Sequence, residues 1–375
     1  MKFAGGLKNA AILWALSAGR MLLPKNASAP WNKRRFLVVS TTGIGDTLWG
    51  TPAIAALRTT FPDCYIGVLT NRAGMEVLTH NPSIDDLFLF SKGSRGILSF
   101  SILIRRLRAE KFDTAIVFHA SDRIVLPLCV LAGASNVIGF VNRHKGLDKL
   151  LTIPVAPLPG IHAVEARFAL MRSLGVQQGD EKLILNLTEE ERIAARRKLV
   201  SCGIDANAII IGMHPGAQDV FKRWPLNYFQ EVGNALRQHI PCRIIITGGE
   251  SESSLARSLA SKIDDALSFA GQLSLRETAA LISKMSLLIS NDTGPMHIAS
   301  AVGTPLVALF CATESTICGP YKTDNALVIQ KQKTCSPCVG KKCKMPSCLE
   351  QITPKEVIEA AFLQMEHKHA HHNKL

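Results

Sequence analysis

Aromatic residues, charged residues and long apolar runs are all scarce in this sequence. Aromatic side chains make up 6% of the 375 residues, with four tryptophans and three tyrosines, and without a recognised motif they give little support to a nucleic-acid-binding protein. The apolar run at residues 10–16 is shorter than a transmembrane helix, which needs about 20 residues. With 47% hydrophobic and 19% charged residues, the chain is neither disordered nor fibrous. Its length indicates two domains.

The charge that is present is mostly positive and unevenly placed. The formal net charge is +13. Residues 1–170 hold 20 Lys and Arg against 10 Asp and Glu, whereas residues 171–375 hold 23 against 20. Nucleic acid, an anionic membrane and phosphorylated small molecules are all compatible with this excess, and so is ordinary solubility charge. The N-terminal half is therefore the basic half.

Residues 1–34 form an extension with mixed signals. Lys2 and Lys8 precede the apolar run, and Ala27-Ser-Ala29 resembles a signal-peptidase site. Arg20 interrupts what would be the apolar region of a signal peptide. We therefore expect a basic amphipathic helix that lies on a membrane surface or on the protein itself, with a signal peptide as the alternative.

The ten cysteines include two groups. Five lie in or beside apolar segments without disulfide-like spacing, which indicates buried thiols in a reducing compartment: Cys64, Cys129, Cys202, Cys242 and Cys311. Four more lie within 14 residues and are interleaved with lysines: Cys335, Cys338, Cys343 and Cys348. This second group, the cysteine cluster, fits a structural zinc ion or iron–sulfur cluster, disulfides or free thiols. The terminal His367, His369, His371 and His372 are predicted to form a disordered tail.

Short apolar runs alternate with helical stretches along most of the chain, which predicts parallel sheets covered by helices. The predicted strands are Phe36–Ser40, Tyr65–Leu69, Leu87–Phe90, Thr114–Phe118, Val137–Phe140, Ala208–Met213, Cys242–Thr247, Leu287–Ser290 and Pro305–Phe310. The predicted helices are 52–60, 97–109, 122–132, 163–174, 225–239, 251–263, 274–284 and 295–302. Two doubly wound domains joined near 175–190 explain this order, and ligands of such domains bind at the carboxyl ends of the strands.

A glycine-containing turn follows the first strand. Gly43 and Gly45 permit a tight turn, and the backbone N–H groups there could meet an anion. The segment is neither a dinucleotide fingerprint nor a P-loop, because Leu48 replaces the third glycine and no Gly-Lys-Ser/Thr follows. Asp46 stands at the helix start, where it is either a helix cap or a catalytic base.

Three segments of the second half indicate an anionic ligand. Lys222 and Arg223 precede a helix N-terminus, an unfavourable place for cations unless an anion lies between them, although both could be solvated loop charges. Glu250 ends a strand where it could accept hydrogen bonds from ribose hydroxyls. In Ser290–Pro305, Asp292 and Thr293 are predicted to cap a helix whose free N–H groups would hold a diphosphate.

Four segments, in this order, resemble glycosyltransferase family 9, the ADP-heptose:lipopolysaccharide heptosyltransferases. They are Gly43-Ile-Gly-Asp-Thr47, Pro215-Gly-Ala217 with Lys222-Arg-Trp-Pro225, Gly248-Gly-Glu250, and Asn291-Asp-Thr-Gly-Pro-Met-His-Ile-Ala299. The last segment is the most specific, and the match runs from about Arg35 to Leu363. The extension lies outside the common core of the family. The resemblance implies an α/β protein of the GT-B fold, with two doubly wound Rossmann-like domains facing a central cleft.

The resemblance also implies roles for individual residues. Asp46 matches the catalytic base and Lys222 the lysine that neutralises the donor diphosphate, so that no metal or other cofactor is required. Gln218 takes a position where some relatives offer a hydroxyl, so its phosphate contact is in doubt. The implied donor-binding set is Gln218, Lys222, Glu250, Leu273, Asp292, Thr293, Gly294 and His297, and the expected acceptor-binding set is Gly43, Gly45, Arg72 and Arg123.

The family implies an inverting transferase that moves heptose from an ADP-sugar to a lipopolysaccharide inner-core acceptor, lipid A–Kdo or heptosylated core. The predicted partners are therefore an ADP-sugar, an anionic lipid-linked saccharide and a membrane surface, but no nucleic acid. The expected location is cytoplasmic, at the inner face of the cytoplasmic membrane. The expected domains are 35–180 for the acceptor, 181–353 for the donor, and 354–375 for a C-terminal helix and tail. Another nucleotide sugar, or a binding protein without turnover, are the alternatives.

Overall fold

A computed structural model describes residues 34–90, 97–119, 123–179, 182–205, 207–311, 313–335, 343 and 347–372. The chain divides between residues 181 and 182 into two compact units, here the N-terminal unit and the C-terminal unit. The helix predicted in the extension and Cys338 of the cysteine cluster lie outside the described residues. No helix in the described part of the chain is long and apolar enough to cross a bilayer.

The N-terminal unit is built on a six-stranded parallel sheet in the order β3-β2-β1-β4-β5-β6. Its strands are β1 (Arg35–Ser40), β2 (Tyr65–Thr70), β3 (Asp86–Leu89), β4 (Thr114–His119), β5 (Asn136–Phe140) and β6 (Ile153–Val155). Its helices are α1 (Ile44–Leu48), α2 (Thr51–Thr60), α3 (Arg72–Leu78), α4 (Ile97–Ala109), α5 (Val125–Leu131) and α6 (Ala163–Met171). The inner strands are apolar on both faces because helices cover both sides of the sheet.

The C-terminal unit repeats the arrangement with the order β12-β11-β10-β7-β8-β9, again all parallel. Its strands are β7 (Ile209–His214), β8 (Cys242–Ile246), β9 (Leu267–Ser268), β10 (Leu287–Asn291), β11 (Leu306–Phe310) and β12 (Ala326–Gln330). Its helices are α7 (Glu189–Ser201), α8 (Leu226–His239), α9 (Ser253–Ala260), α10 (Leu275–Ile282), α11 (Gly294–Val302), α12 (Ser315–Cys318) and α13 (Pro354–His372).

Both sheets have the Rossmann strand order, in which the fourth strand adds beside the first. The order reverses between β1 and β4 in one unit and between β7 and β10 in the other. Connections on either side of such a switch point lead away in opposite directions, which leaves a crevice at the carboxyl ends of the two strands. The two doubly wound units predicted from the sequence are confirmed, and their switch points identify where ligands are expected.

Several predicted elements differ from the structure in extent. The helix predicted at 52–60 is α2, but a further short helix, α1, precedes it and ends before Gly50, where a Cβ would lie 2.9 Å from the Phe118 ring. Helix α7 was not predicted, although Thr188 and Glu191 form a capping box at its start. The short β9 and the half-buried β12 were also missed. Helix α13 continues to His372, so the prediction of a disordered histidine tail is wrong for these residues.

Candidate active site

Asp46 lies in the first turn of α1, just after β1, at the switch point of the N-terminal sheet. Gly43 is the N-cap of α1 and Asp46 is its third residue. One carboxylate oxygen, Oδ2, accepts the backbone N–H of Gly43 at 3.3 Å, so part of the capping role predicted for Asp46 is present. The side chain keeps 24% of its surface exposed. Because part of the Asp46 side chain is open to solvent, its carboxylate can still accept a proton from a bound hydroxyl.

Arg167 holds the second oxygen of this carboxylate, and no sequence motif points to it. Its Nη2 lies 3.3 Å from Asp46 Oδ1, although the two residues are 121 positions apart. Its Nη1 donates to the carbonyl of Ala163 at 3.0 Å, and its guanidinium carbon lies 5.5 Å from the centre of the Trp49 ring. Burial of Arg167, whose side chain is 7% exposed, lowers its pKa, and the charge of Asp46 opposes that shift.

Arg72 and Arg123 also lie at this edge of the sheet. Arg72 is the exposed first residue of α3, directly after β2, and Arg123 is half-buried after β4. His119 ends β4 beside β1, and its carbonyl accepts the N–H of Thr41 at 3.2 Å. The carboxyl ends of neighbouring parallel strands thus bring Asp46, His119 and the two predicted arginines to one edge.

Lys222 and Asp292 form an ion pair at the switch point of the C-terminal sheet. Lys222 Nζ lies 2.5 Å from Asp292 Oδ2, which also accepts the hydroxyl of Thr313 at 2.5 Å. Lys222 ends a short 3₁₀ turn after β7, and Asp292 follows β10. The tertiary structure therefore joins two residues that sequence motifs associate with the same ligand, and it adds Thr313, which belongs to none of those motifs.

Asn291 fixes the two loops that carry this ion pair. Its Oδ1 accepts the backbone N–H of Trp224 at 3.1 Å, and its Nδ2 donates to the carbonyls of Pro215 and Gly216 at 3.0 and 3.2 Å. Trp224 is itself buried, and its indole donates to the carbonyl of Ile352 at 2.9 Å. The buried amide therefore determines where the loop after β7 lies relative to the start of α11.

The start of α11 differs from the prediction. Thr293 is the N-cap residue, but no described side chain caps the helix. The Thr293 hydroxyl donates to the carbonyl of Asn291 at 3.3 Å, and the carboxylate of Asp292 is taken by Lys222 and Thr313. The predicted side-chain cap is therefore wrong. His297 lies in the first turns of α11 and is buried.

The ends of β8 and β9 bring Glu250 and Leu273 into neighbouring loops. A Cβ on Gly271 would lie 3.1 Å from Glu250 Cα, and the N–H of Gly271 donates to the carbonyl of Gly248 at 3.0 Å. Glu250 is exposed and Leu273 is half-buried. Such a pair offers a carboxylate beside an apolar surface.

A second carboxylate, Glu252, contacts both the end of β7 and the loop that follows β8. It accepts the N–H of Gly249 at 2.8 Å and lies 3.8 Å from Nε2 of the buried His214, whose Nδ1 contacts the Thr247 hydroxyl at 3.1 Å. Burial lowers the pKa of His214, and the nearby Glu252 opposes the shift. Gln218 is exposed in the loop before Lys222.

The sequence profile of glycosyltransferase family 9 (heptosyltransferase) matches residues 101–349. Those residues include both strands of the C-terminal switch point and every residue of the predicted donor set. The chain belongs to glycosyltransferase family 9. It is a transferase, and Asp46 lies upstream of the matched residues.

Relatives of this glycosyltransferase extend the match toward the N-terminus. Lipopolysaccharide heptosyltransferase 3 of Escherichia coli (strain K12) is 30% identical over 296 residues, which cover 76% of this chain and 84% of that protein. Lipooligosaccharide heptosyltransferase 2 of Campylobacter jejuni is 23% identical over 337 residues, or 88% of this chain and 97% of that protein.

Solved structures show the same fold. A family 9 glycosyl transferase from Veillonella parvula has a TM-score of 0.79 at 25% identity and covers 91% of this chain and 100% of its own. Heptosyltransferase II of E. coli has a TM-score of 0.75 at 21% identity, covering 89% and 99%. The GT-B fold predicted from the resemblance is confirmed.

Three residues of the cysteine cluster of this glycosyltransferase are described: Cys335, Cys343 and Cys348. Hydrogen bonds from Thr334, whose N–H lies 3.3 Å and whose hydroxyl lies 3.0 Å from Cys348 Sγ, lower the pKa of that thiol, and Cys311 adds to the effect. Within the described ranges, His, Cys, Asp and Glu do not gather in threes as a metal site requires. A lower pKa makes the thiolate, which is the form that ligates metals, easier to form at Cys348 than at an ordinary cysteine.

Proposed function

We propose that this glycosyltransferase is an inverting, metal-independent heptosyltransferase that moves heptose from ADP-heptose to the inner core of lipopolysaccharide, either lipid A–Kdo or heptosylated core. The observation that carries the proposal is that each switch point holds charged side chains suited to this reaction. Asp46 lies at the switch point between β1 and β4, and the Lys222–Asp292 ion pair lies at the one between β7 and β10. The E. coli relative at 30% identity is a lipopolysaccharide heptosyltransferase, and the E. coli structure is that of an ADP-heptose heptosyltransferase, which supports this donor and acceptor.

Asp46 is the proposed general base. As the acceptor hydroxyl attacks the anomeric carbon of the heptose, a C–O bond forms, and the hydroxyl proton passes to a carboxylate oxygen of Asp46. The contacts from Gly43 and Arg167 occupy one position on each oxygen. Each oxygen can accept a further hydrogen bond, so the carboxylate is oriented without being saturated.

Lys222 and the start of α11 stabilise the leaving group in this proposal. The bond between the anomeric carbon and ADP breaks with its electron pair going to the diphosphate, where negative charge increases. The Lys222 ammonium has three N–H donors, of which Asp292 accepts one. The backbone N–H groups at Thr293 and Gly294 lack a side-chain cap and lie at the positive end of the helix dipole. Together these groups supply the charge that a divalent ion supplies in other transferases.

The remaining predicted donor residues complete the proposed ADP-heptose site. We assign Glu250 to the ribose hydroxyls and Leu273 to the face of the adenine, since their loops are neighbours. Gln218 and His297 are assigned to the phosphate and sugar. His297 is buried in α11 and Gln218 is exposed in the loop after β7.

The acceptor is assigned to the N-terminal unit. Gly43 and Gly45 begin α1 beside Asp46, and Arg72 and Arg123 stand at the same edge of the sheet, where they would pair with phosphates or carboxylates of the acceptor. Because that acceptor is lipid-linked, we place the enzyme in the cytoplasm at the inner face of the cytoplasmic membrane.

The proposal includes a structural zinc ion or iron–sulfur cluster at Cys335, Cys338, Cys343 and Cys348, with disulfides or free thiols as the alternatives. The lowered pKa of the Cys348 thiol is consistent with a metal ligand. The cluster would stabilise the C-terminal unit and would take no part in sugar transfer. Purified protein without bound zinc or iron would remove this part of the proposal.

The decisive experiment incubates the protein with ADP-heptose and deacylated lipid A–Kdo and follows ADP release and product mass. Formation of a heptosylated product in the presence of EDTA is the expected result. Transfer only from another nucleotide sugar would keep the enzyme class and change the donor. Tight ADP-heptose binding without turnover would identify a binding protein and overturn the proposal.

A further inference from the structure

Helix α4 presents a face to solvent that is too apolar for its exposure. Leu98 is 75% exposed and Ile102 is 51% exposed, and they lie one turn apart on the same side of the helix. Arg105 and Arg106 continue this side and are also exposed. We call these four residues the α4 ridge.

The ridge is not needed for packing of the helix. The opposite side of α4 already supplies Leu103 and Leu107 to the core, with Phe100 and Ile104 partly buried against it. A surface helix needs one apolar stripe for this purpose. Leu98 and Ile102 are therefore a second apolar group, on the side where polar residues are expected.

The ridge also carries positive charge that no acidic side chain in the described part of the chain is seen to pair with. Helix α4 contains three arginines and no acidic residue. The acidic residue that follows it, Glu110, is held by Arg35 at 2.6 Å, and Arg108 donates to the carbonyl of Leu131 at 2.9 Å. Arg106 lies over the Phe88 ring at 5.5 Å, and Arg105 extends from the exposed side. The positive charges of Arg105 and Arg106 therefore complement an anionic surface.

The exposed apolar residues of α7 lack this excess of positive charge. Ile193 and Val200 are 41% and 53% exposed, but three glutamates offset three of the four basic residues of that helix. The part of the chain that contains α4 is also the more basic part. Residues 1–170 hold twice as many basic as acidic residues. Apolar side chains flanked by arginines on one helix face are the composition that binds the interface of an anionic bilayer.

We propose that the α4 ridge is the surface by which this enzyme docks on an anionic phospholipid membrane, with Leu98 and Ile102 entering the headgroup region and Arg105 and Arg106 pairing with lipid phosphates. The inference deepens the proposed function, because a lipid-linked acceptor requires an enzyme that works at a membrane. It assigns that contact to the N-terminal unit, the unit that carries Asp46.

The test measures sedimentation of the full-length protein with vesicles of phosphatidylcholine and phosphatidylglycerol, and with phosphatidylcholine alone. We expect wild type to bind the mixed vesicles, and the double variant Leu98→Gln/Ile102→Gln to bind them about tenfold more weakly. Arg105→Gln should lose about fivefold on mixed vesicles, since one basic residue near an anionic surface contributes about that much, and should change nothing on neutral ones. The matched control, Ile193→Gln/Val200→Gln, should bind as wild type does.

Two further readouts separate the possible failures. Transfer of heptose to a deacylated, water-soluble acceptor should be equal in wild type and in the ridge variants, because no ridge residue belongs to the predicted donor or acceptor set. Absence of transfer in wild type and in every variant would refute the proposed function. The vesicle sedimentation result would still show whether the α4 ridge binds membranes. Wild-type vesicle binding by both ridge variants would overturn the inference and favour the extension, residues 1–34, as the membrane contact. A ridge variant that changes the oligomeric state, with vesicle binding intact, would overturn it in favour of contact between two copies of the chain.

Discussion

Lys222 and Asp292 form an ion pair between the loops that follow β7 and β10, although 70 residues separate them in sequence. The Asp292 carboxylate also accepts the hydroxyl of Thr313. An ammonium that already faces an anion is positioned for a second anion, because two of its three N–H donors remain available. The pair thus orients the lysine that we assign to the leaving diphosphate.

Replacing Lys222 with Met should reduce kcat for transfer by about 10²–10³-fold, the usual cost of losing one preorganised charge at a reacting group. The exposed Lys262→Met serves as control and should be unaffected. Thr313→Val should have a smaller effect in the same direction, since it removes one partner of Asp292. Steady-state assays of ADP release measure all three. A Lys222 variant with unchanged kcat would exclude the assigned role.

Replacing Asp46 with Asn should reduce kcat by about 10²–10⁴-fold, because the amide cannot take the proton of the acceptor hydroxyl. Affinity for ADP, measured by calorimetry, should be retained, since Asp46 belongs to the N-terminal unit. Asn can still accept a hydrogen bond from the Gly43 N–H, so the contribution of the cap to α1 should largely persist. Near-wild-type transfer by this variant would show that Asp46 is not the base.

Arg167 is expected to act through Asp46. Because Arg167→Lys keeps the positive charge and loses the fixed planar geometry, we expect kcat to fall by about ten- to a hundredfold through misplacement of the carboxylate. Arg167→Gln should lower kcat further, because it removes the charge as well as the geometry, while KM for ADP-heptose stays unchanged. The exposed Arg172→Gln is the control. An unchanged kcat in both Arg167 variants would indicate a purely structural arginine.

The C-terminal unit should lose stability as the pH falls below about 6.5, the ordinary pKa of histidine. Burial lowers the pKa of His214 in the folded state, so in this range the unfolded chain binds a proton that the folded chain does not. Stability therefore rises with pH up to about 6.5. Thermal unfolding from pH 5 to 8 should show a shallower acid limb for His214→Asn than for wild type, and no such change for the exposed His239→Asn. Equal acid limbs in all three proteins would assign the loss to other groups.

Alanine at Gly216 should displace the Glu252 carboxylate. A Cβ there would lie 2.0 Å from Glu252 Oε1, so Glu252 would have to leave its bond with the Gly249 N–H. We expect weaker ADP binding, because both loops beside the proposed donor site move. Gly249→Ala is the matched control, since its nearest contact would be an ordinary 3.8 Å. Calorimetric ADP affinity distinguishes the two variants, and equal affinity would show that the loops adapt.

The sequence by itself determined the architecture and the chemical groups. Apolar runs with β-branched residues predicted nine strands that the structure contains, because strands buried on both faces must be apolar throughout. Glycine, proline and capping residues predicted where Asp46 and Asp292 stand relative to their strands. The elements without a prediction include some with weak local signals, since β9 has two residues and β12 is only half-buried. Helices α3 and α7 were not predicted either, although the side chains of Asn71 and Thr188 cap them.

Only the tertiary structure decided which of these groups meet. The strand order places β4 beside β1 and β10 beside β7, and this contact between strands distant in sequence is what brings Lys222 to Asp292. Arg167 lies on a helix with no unusual pattern, and Thr313 lies in a connecting segment, so neither could be associated with its carboxylate beforehand. Local patterns report the burial and backbone conformation of each segment, whereas the pairing of side chains depends on how the segments pack.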